Sequence, residues 1–314
     1  MEKIAMRDAY GKALAELGNA YDFVVLDADL SGATKTATFK KEFPHRFFDC
    51  GIAEGNMMSA AAGIASTGTP VFASSFAMFA AGRAFEQIRN SIGYPHLNVK
   101  VAATHAGITV GEDGATHQCN EDIAVMRVIP GMTVFSPADA TEVFFCVKAA
   151  LELDGPVYIR LSRMASPVLF ERDSHPFRVG KGITLREGND VAIVATGLMV
   201  NEALQAAETL AAKGINARVI DIHTVKPLDE ELLAQAAREC GAIVTAEEHS
   251  RIGGFGAAVC ESVSASCPVP VLRVGINDTF GKSGKAEELM AEFGVTAANI
   301  VCAAEKAVAM KAAK

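Results

Sequence analysis

One acidic side chain, Glu54, stands where a carboxylate can do chemistry. It lies in the segment Phe48 to Met58, between a strand-like stretch and a helix whose residues are almost all small and apolar. An acid in the first turn of a helix can simply favour the helix dipole, and this arrangement is common. A buried acid must instead find a hydrogen-bonding partner or lose its charge, and a nitrogen of a ligand can be that partner. Glu54 is therefore our first candidate for a functional carboxylate.

Two phenylalanines, Phe76 and Phe79, lie three residues apart just after a predicted strand, in the segment Ser75 to Arg83. Residues at this spacing share one face of a helix. Ordinary packing in a hydrophobic core is the default explanation for such a pair. Any further role for these two rings depends on what the neighbouring segments do.

The segment Thr104 to Gln118 contains two histidines, two acids and three glycines between a predicted strand and the next helical stretch. Packing in a core does not easily explain a loop this polar and this rich in imidazole, because histidine changes charge near neutral pH. A metal site is the alternative. The histidines and acids do not show zinc-ligand spacing and no cysteine supports such a site. We therefore predict a functional loop that holds no metal ion.

These segments must be positioned by strands and helices. Short β-rich apolar runs alternate with alanine-rich helical stretches, the pattern of parallel sheets covered by helices on both faces. Open α/β sheets bind ligands beyond the ends of their strands, so function is expected at residues 27–33, 75–79 and 105–117. In the first half the predicted strands are residues 23–26, 71–74, 99–104, 133–136 and 157–161, and the predicted helices are residues 56–66, 78–91 and 138–153.

The alternation fails between residues 166 and 188, where prolines, charges and glycines lack a sustained apolar face. We interpret this stretch as the linker between domains 1–165 and 189–314, and predict that both are doubly wound α/β domains with mostly parallel sheets. In the second domain the predicted strands are residues 191–195, 217–222, 242–246 and 271–274, and the predicted helices are residues 200–212, 229–239 and 256–265.

The second domain offers no catalytic cluster in its sequence. Its polar residues of note are His223 and the run Glu247-Glu248-His249, which is followed by the pair Gly253-Gly254. Glycine pairs can cradle anions, but this motif is weak. We therefore expect the second domain to serve mainly in organisation and assembly.

The composition excludes several classes of partner. A formal net charge of −8 and a pI near 5.5 remove the electrostatic attraction that nucleic acid or anionic lipid needs. The seven cysteines include no CxxC pair, as is typical of a reduced cytosolic protein. The N-terminal stretch predicts an amphipathic helix rather than a signal peptide, and no stretch approaches about 18 uninterrupted apolar residues. We expect a cytoplasmic protein that binds neither nucleic acid nor membrane.

The three segments, in this order and spacing, resemble the transketolase family. The family's form of the third segment is Gly-Glu-Asp-Gly-Pro-Thr-His-Gln, and residues 111–118 here are Gly-Glu-Asp-Gly-Ala-Thr-His-Gln. The resemblance extends from Arg7 to the last predicted strand and implies a pyrimidine-binding domain followed by a transketolase C-terminal domain. It implies that Glu54 bonds N1′ of the aminopyrimidine of thiamine diphosphate and so activates the cofactor. Phe79, together with Phe76, would form the aromatic wall of that pocket.

The resemblance also implies residues for the substrate. His105, Asp113 and His117 are assigned to the substrate channel, where they would hold sugar hydroxyls and the carbonyl and assist proton transfer. Arg163 and Arg7 match the family's substrate-phosphate arginines, and the planar fork of arginine suits phosphate. Taken alone, each arginine is more simply a solvated surface charge.

A further match and two departures concern the cofactor pocket. Asp29 matches an acid near the thiazolium end of the cofactor, although it can equally cap a turn. Gly82 stands where the family usually has a third aromatic residue, and Ala33 where it has a phosphate-contacting serine. These departures weaken the expectation of an ordinary pentose or hexose phosphate substrate and leave the chemistry intact.

One expected motif is missing from the sequence. Thiamine enzymes hold the cofactor's diphosphate through Mg²⁺ bound by a Gly-Asp-Gly segment and a following asparagine, since hard oxygen ligands suit that ion. Gly-Asp-Gly occurs nowhere in this sequence. We therefore expect a separate diphosphate-binding chain that carries the Mg²⁺ ligands, and a heterotetramer of two plus two chains with thiamine diphosphate at the interface. The expected reaction is transfer of a two-carbon ketol unit between sugar phosphates.

Three alternatives stay open. The β chain of a 2-oxo acid dehydrogenase shares this layout, but the third segment and His105 favour transketolase or 1-deoxyxylulose-5-phosphate synthase. That synthase normally carries its diphosphate domain on the same chain. A non-catalytic regulatory or structural subunit with the same fold is the third alternative, and the joint presence of Glu54, Phe79, His105, Asp113 and His117 argues against it.

Overall fold

A seven-stranded sheet forms the centre of the first domain in the computed structural model, which describes residues 2–312. Six strands are parallel, and one edge strand, β12 (Thr224–Lys226), is antiparallel to its neighbour β6 (Thr133–Phe135). The central strands are buried on both faces, which explains their continuous apolar runs. In spatial order the strands are β12 (Thr224–Lys226), β6 (Thr133–Phe135), β7 (Val157–Ser162), β5 (Val99–Ala106), β4 (Val71–Phe76), β2 (Val24–Asp27) and β3 (Phe47–Asp49).

The second domain is built on a five-stranded sheet with four parallel strands and an antiparallel edge strand, β9. The predicted fold class of two mostly parallel, doubly wound α/β domains is thus confirmed. In spatial order the strands are β14 (Val271–Ile276), β13 (Ile243–Ser250), β10 (Val191–Ala195), β11 (Ala217–Asp221) and β9 (Ile183–Arg186).

Short strands connect the two domains more closely than the sequence indicates. β8 (Ala165–Pro167) pairs antiparallel with β1 (Lys3–Ala5), and β9 joins the second sheet, so strands begin and end the stretch predicted as a linker. β12 lies within the second domain by sequence but pairs with β6 of the first sheet. Strands of three or four residues at sheet edges carry too little alternation to be recognised in a sequence.

Helices cover both faces of each sheet. The α-helices are α1 (Met6–Leu17), α2 (Ser31–Thr34), α3 (Ala37–Glu42), α4 (Glu54–Ala65), α5 (Phe85–Gln87), α6 (Asp122–Arg127), α7 (Ala140–Glu152), α8 (Met199–Ala212), α9 (Glu230–Cys240), α10 (Phe255–Ser266), α11 (Ala286–Glu292) and α12 (Ala297–Ala312). Wide π turns at Met78–Arg83 and Ile88–Gly93 flank α5, and 3₁₀ turns lie at Pro44–Arg46 and Ile108–Asp113.

Capping side chains explain where two predicted helices begin. Asp139 precedes α7 and its Oδ1 accepts the backbone N–H of Glu142 at 2.9 Å. Asp229 precedes α9 and accepts the N–H of Leu232 at 3.3 Å. A capping residue is itself non-helical, so α7 and α9 start one residue after these aspartates, slightly later than predicted. The sequence interpretation missed α11 and α12 altogether.

The stretch 286–311 is long and apolar enough, by length and composition alone, to cross a membrane. The structure divides it into α11 and α12, which are separated at residues 293–296, where Gly294 adopts a left-handed conformation. Leu289 in α11 and Ile300 and Ala304 in α12 are buried in the larger core cluster. Here these two helices are part of a globular core.

Candidate active site

The candidate residues come together at the carboxyl-terminal edge of the first sheet. Five neighbouring parallel strands end there, so the loops that follow them lie side by side, as in the ligand crevices of open α/β sheets. The residues at or just beyond these strand ends are Glu54 after β3, Asp29 after β2, Phe76 and Phe79 at β4, His105 in β5 and Arg163 after β7.

Glu54 is the first residue of α4 and is only 2% exposed. Its Oε2 accepts a hydrogen bond from Nη1 of Arg83 at 2.9 Å, an ion pair in which the arginine remains half exposed. Within residues 2–312, the hydrogen bond of this carboxylate is made by Oε2 and none is made by Oε1. The carboxylate is therefore fixed through one oxygen and without a partner at the other.

Asp49 holds the loop of Glu54 against the loop of Asp29. Its Oδ1 accepts the backbone N–H groups of both Asp29 and Gly51 at 3.0 Å. Gly51 has a φ of 67°, a left-handed conformation that glycine adopts without steric cost. One carboxylate at the end of β3 thus sets the path of both loops into the candidate site.

The aromatic residues form a continuous group with both histidines. The ring of Phe76 stacks on that of His105 with centroids 3.8 Å apart, and lies 6.0 Å from Phe79 at an interplanar angle of 14°. His117 meets Phe79 edge to face at 5.2 Å. The guanidinium of Arg83 lies over the Phe79 ring, 4.8 Å from its centroid, and so connects this group to Glu54.

His105 is buried and neutral. Burial, followed by the positive charges of Arg7 and Arg163, lowers the pKa of His105 to about 3. Nη1 of Arg7 lies 3.2 Å from its Nε2, and because arginine can only donate, Nε2 accepts. The ring proton is then on Nδ1, which lies 2.9 Å from the Thr104 hydroxyl. His105 has a φ of 57°, a strained conformation of the kind that accumulates at functional sites.

Three basic side chains and two acidic ones, Glu112 and Glu287, line a pocket of about 350 Å³ next to His105. Arg7 and Arg163, the two arginines singled out in the sequence, both line it, and Lys285 from the second domain joins them. Nη1 of Arg163 donates to the carbonyl of Val110 at 2.7 Å and to Glu112 at 3.2 Å, which holds the guanidinium in place. The pocket has the charge and the donor groups to bind a phosphate or another oxyanion.

Comparison with known sequences decides the family. The sequence pattern described as the transketolase pyrimidine-binding domain matches residues 2–168, and that of the transketolase C-terminal domain matches residues 180–300. The chain belongs to the transketolase family.

Relatives of similar length support the assignment. The chain is 51% identical to a Methanocaldococcus jannaschii protein designated a transketolase C-terminal section, over 94% of this chain and 93% of that one. It is 45% identical to the 6-deoxy-6-sulfo-D-fructose transketolase subunit SqwH of Clostridium sp. (strain MSTE9), over 98% and 95%. A solved structure described as a split gene transketolase, inactive β4 tetramer, has a TM-score of 0.92 at 56% identity and covers 98% of this chain and 99% of that one. Against the transketolase of Leishmania mexicana the TM-score is 0.83 at 26% identity, and the match covers 46% of that chain.

Two residues that the transketolase resemblance assigns to ligands make no side-chain hydrogen bond within residues 2–312. Asp29 is exposed, with a φ of 61°, and contributes only its backbone N–H to Asp49. Asp113 is exposed at the end of the 3₁₀ turn Ile108–Asp113. Both carboxylates are accessible to solvent.

The structure shows the surroundings of Gly82 and Ala33, the two departures from the transketolase pattern. A Cβ at Gly82 would lie 2.2 Å from Cε of Met78, so the methionine occupies the space that a side chain there needs. Ala33 lies within the short helix α2 and is half-buried. The pocket wall therefore consists of Phe76 and Phe79 with Arg83, without a third ring.

Sequence reasoning missed the roles of Arg83 and Asp49. Arg83 follows Phe79 by four residues, a helical spacing that brings two side chains together, so its contact with the ring had a detectable signal. Asp49 directly follows two phenylalanines in β3, and nothing in its neighbourhood indicates that it bonds two loops. Within residues 2–312, no group of three or more His, Cys, Asp or Glu side chains is arranged to hold a metal ion.

Proposed function

We propose that this chain is the C-terminal subunit of a thiamine diphosphate-dependent transketolase, which transfers a two-carbon ketol unit between sugar phosphates together with a separate diphosphate-binding subunit. The observation that carries the proposal is the setting of Glu54. This buried carboxylate is held by Arg83 through Oε2, its Oε1 makes no hydrogen bond within residues 2–312, and it lies next to an aromatic group that includes two histidines.

The residues present fit the aminopyrimidine half of the cofactor. A ring nitrogen needs a carboxylate in a largely buried setting, which Glu54 offers at 2% exposure, and a planar heteroaromatic ring needs an aromatic wall, which Phe76 and Phe79 offer. When bound, thiamine diphosphate supplies a carbon nucleophile that cleaves and forms carbon–carbon bonds beside a carbonyl.

Of the chain's own residues, some exchange protons and others bind the substrate. Glu54 exchanges a proton with the ring nitrogen that it contacts. His105 stays neutral at physiological pH because its pKa is low, so it binds a sugar hydroxyl by a hydrogen bond to Nε2, the nitrogen that accepts from Arg7 in the structure. His117, at the edge of Phe79, faces the same space. Arg7 and Arg163 bind the terminal phosphate and orient the sugar.

The need for a second chain is part of the proposal. No Gly-Asp-Gly segment is present in the sequence, so the Mg²⁺ ligands and the diphosphate site are assigned to the partner. The 56% identical chain described as an inactive β4 tetramer supports this view, since that assembly contains one kind of chain and is described as inactive. We assign a heterotetramer of two plus two chains, with the cofactor between unlike subunits.

Reconstitution tests the proposed function. The chain is co-expressed with a diphosphate-binding transketolase subunit that carries Gly-Asp-Gly, and the complex is assayed with thiamine diphosphate, Mg²⁺ and panels of ketose and aldose phosphates. We expect ketol transfer by the complex and none by either chain alone. Turnover by this chain alone would contradict the two-chain assignment. A Glu54→Gln complex as active as wild type would instead favour a regulatory or structural subunit.

A further inference from the structure

Two adjacent carboxylates near the end of β13, Glu247 and Glu248, are both buried. Successive side chains of a strand point to opposite faces, so the two acids face different surroundings. Glu247 accepts the backbone N–H groups of Phe255 at 2.6 Å and Gly256 at 2.8 Å, the first residues of α10. Its contacts stay within the second domain, and the helix dipole favours its charge.

Glu248 reaches into the first domain instead. Its Oε1 accepts the backbone N–H of Thr109 at 2.6 Å, and its Oε2 accepts the hydroxyl of Ser162 at 2.9 Å. The approach is close: a Cβ on Gly107, which has a φ of 84°, would lie 2.4 Å from Cδ of Glu248. A glycine is therefore required where the chain passes over this carboxylate.

The two groups that Glu248 binds belong to segments with candidate site residues. Thr109 lies in the turn between His105 and His117, and Ser162 directly precedes Arg163. One carboxylate thus connects the loop of the two histidines to the end of the strand that carries the phosphate-binding arginine. Thr109 and Glu248 are 139 residues apart in the chain, so only the fold brings them together.

The buried arginine beside Glu248, Arg160, does not depend on the Glu248 carboxylate for its ion pair. Arg160 is buried beside it and donates Nη2 to the Glu248 backbone carbonyl at 2.7 Å, while its Nε pairs with Asp122 at 3.0 Å. The guanidinium therefore keeps a carboxylate partner if the Glu248 side chain is replaced. A substitution at Glu248 removes the contacts to Thr109 and Ser162 without leaving an unpaired buried arginine.

We infer that Glu248 is a positioning residue for the active site: its carboxylate fixes the Gly107–His117 loop relative to Arg163, so the second domain sets the geometry of substrate binding. The inference rests on the proposed function for its consequence in catalysis. The contact concerns the substrate side of the site, since Glu54, Arg83 and Phe79 lie on other loops. Substrate recognition is therefore expected to depend on Glu248, and cofactor affinity is not.

The test replaces Glu248 by Met, which keeps the volume and removes both hydrogen bonds, with Glu247→Met as the matched control. In the isolated chain, amide hydrogen exchange of residues 107–118 should become at least about 10-fold faster in Glu248→Met. In the two-chain complex, kcat/KM for a ketose phosphate should fall about 10- to 100-fold, mainly through KM, with the Kd of thiamine diphosphate unchanged. Glu247→Met should speed exchange at residues 255–266 and leave kcat/KM within about 3-fold.

A conservative variant separates hydrogen bonding from charge. Glu248→Gln retains an acceptor for Thr109 and presents an amide to the Ser162 oxygen, so it should restore slow exchange and most of kcat/KM. If Glu248→Met does not fold, Ser162→Ala replaces it in the test, since this substitution removes one of the two contacts. Ser162→Ala should raise KM and the amide hydrogen exchange rate of residues 107–118 by smaller factors. The inference is overturned if the folded variants leave the exchange of residues 107–118 at the wild-type rate, or if Glu247→Met and Glu248→Met have equal effects. A wild-type complex without ketol transfer would refute the proposed function and leave the exchange result to decide the role of Glu248.

Discussion

The carboxyl-terminal edges of the two parallel sheets are used in different ways. At the edge of the first sheet, Asp29 and Asp113 are exposed and Glu54 is hydrogen-bonded through only one of its oxygens in the described chain. At the edge of the second sheet, Glu247 and Glu248 are buried and each accepts two hydrogen bonds from the protein. One edge is open to ligands, and the other is filled by the neighbouring domain.

This difference shows that a strand end becomes a binding site only where nothing else covers it. Parallel sheets of this type bind ligands at the carboxyl ends of their strands because loops diverge there and leave a crevice. In the second sheet the loop at Gly107 of the first domain packs onto Glu248 and closes that space. We therefore predict opposite roles for acidic residues at equivalent places, with Glu54 taking part in the chemistry and Glu248 supporting the structure.

Neutralising one carboxylate at each edge should produce the largest difference between the two edges. Glu54→Gln should lower kcat of the two-chain complex by about 10³-fold, because general acid–base contributions are typically 10²- to 10⁴-fold. Glu247→Gln should leave kcat near the wild-type value, since its partners are backbone N–H groups inside the second domain. Steady-state assays at saturating cofactor measure both, and equal losses would show that the edges do not differ in the way we describe.

The basic pocket at the open edge provides the next largest effect. Arg163→Met should raise KM for a phosphorylated donor about 10- to 100-fold, because a hydrogen bond to a charged group contributes about 1.5–3 kcal/mol. The same substitution should change KM for a non-phosphorylated ketose little. Arg172→Met is the control, since this arginine pairs with Glu16 away from the pocket. A uniform loss for both kinds of donor would refute a phosphate role for Arg163.

Burial of Glu247 at the edge of the second sheet should make the free energy of unfolding depend on pH. Burial raises the pKa of Glu247 to about 7, so between its unfolded and folded values the folded chain binds more protons than the unfolded one. The stability that proton binding to Glu247 contributes is fully present below the pKa of the unfolded state, and it is lost as the pH rises through about 7. The free energy of unfolding of Glu247→Gln, measured by denaturant and compared with wild type, should rise by about 2 kcal/mol between pH 5 and pH 8. One pKa unit corresponds to about 1.4 kcal/mol. A constant difference across this range would contradict the assignment.

The smallest expected effect concerns the ion pair of Glu54 itself. Arg83→Met should lower the free energy of unfolding by about 1 kcal/mol, because the carboxylate is buried but the arginine is half exposed. In a Glu54→Gln background the same substitution should cost much less, which a double-mutant cycle measures. An undiminished cost there would mean that Arg83 stabilises the chain through Phe79 alone.

The buried parts of the fold could be predicted from the sequence, and the edges could not. β4, β5 and β7 are buried on both faces and have apolar runs that identify them, as predicted. β12 has three residues and too little pattern to detect, and β3, which is equally short, was recognised only as a strand-like stretch before Glu54. The helices α11 and α12 were not predicted, although Ile300, Ala304 and Ala307 are buried in α12 at helical spacing.

The candidate site was predictable as a set of neighbouring loops, because the parallel topology brings strand ends together. The grouping of Phe76, His105 and His117 agrees with that expectation in space, while their chemical roles remain predictions. The pairing of Arg83 with Glu54 was not predictable, since it depends on the wide π turn that directs the arginine side chain. The contact of Glu248 spans two domains, and no local pattern encodes such a distance.

The placement of β12 has a consequence for how the molecule holds together. Thr224 and Lys226 lie beyond β11 in the chain, yet they pair with Phe135 and Val134 of the first sheet, and Nζ of Lys226 donates to the carbonyl of Ile129 at 2.6 Å. Severing the chain between the two sheets would strip the first of an edge strand and expose unpaired backbone groups. We therefore expect the two α/β units to melt in a single cooperative transition, with neither half persisting as an independently folding fragment.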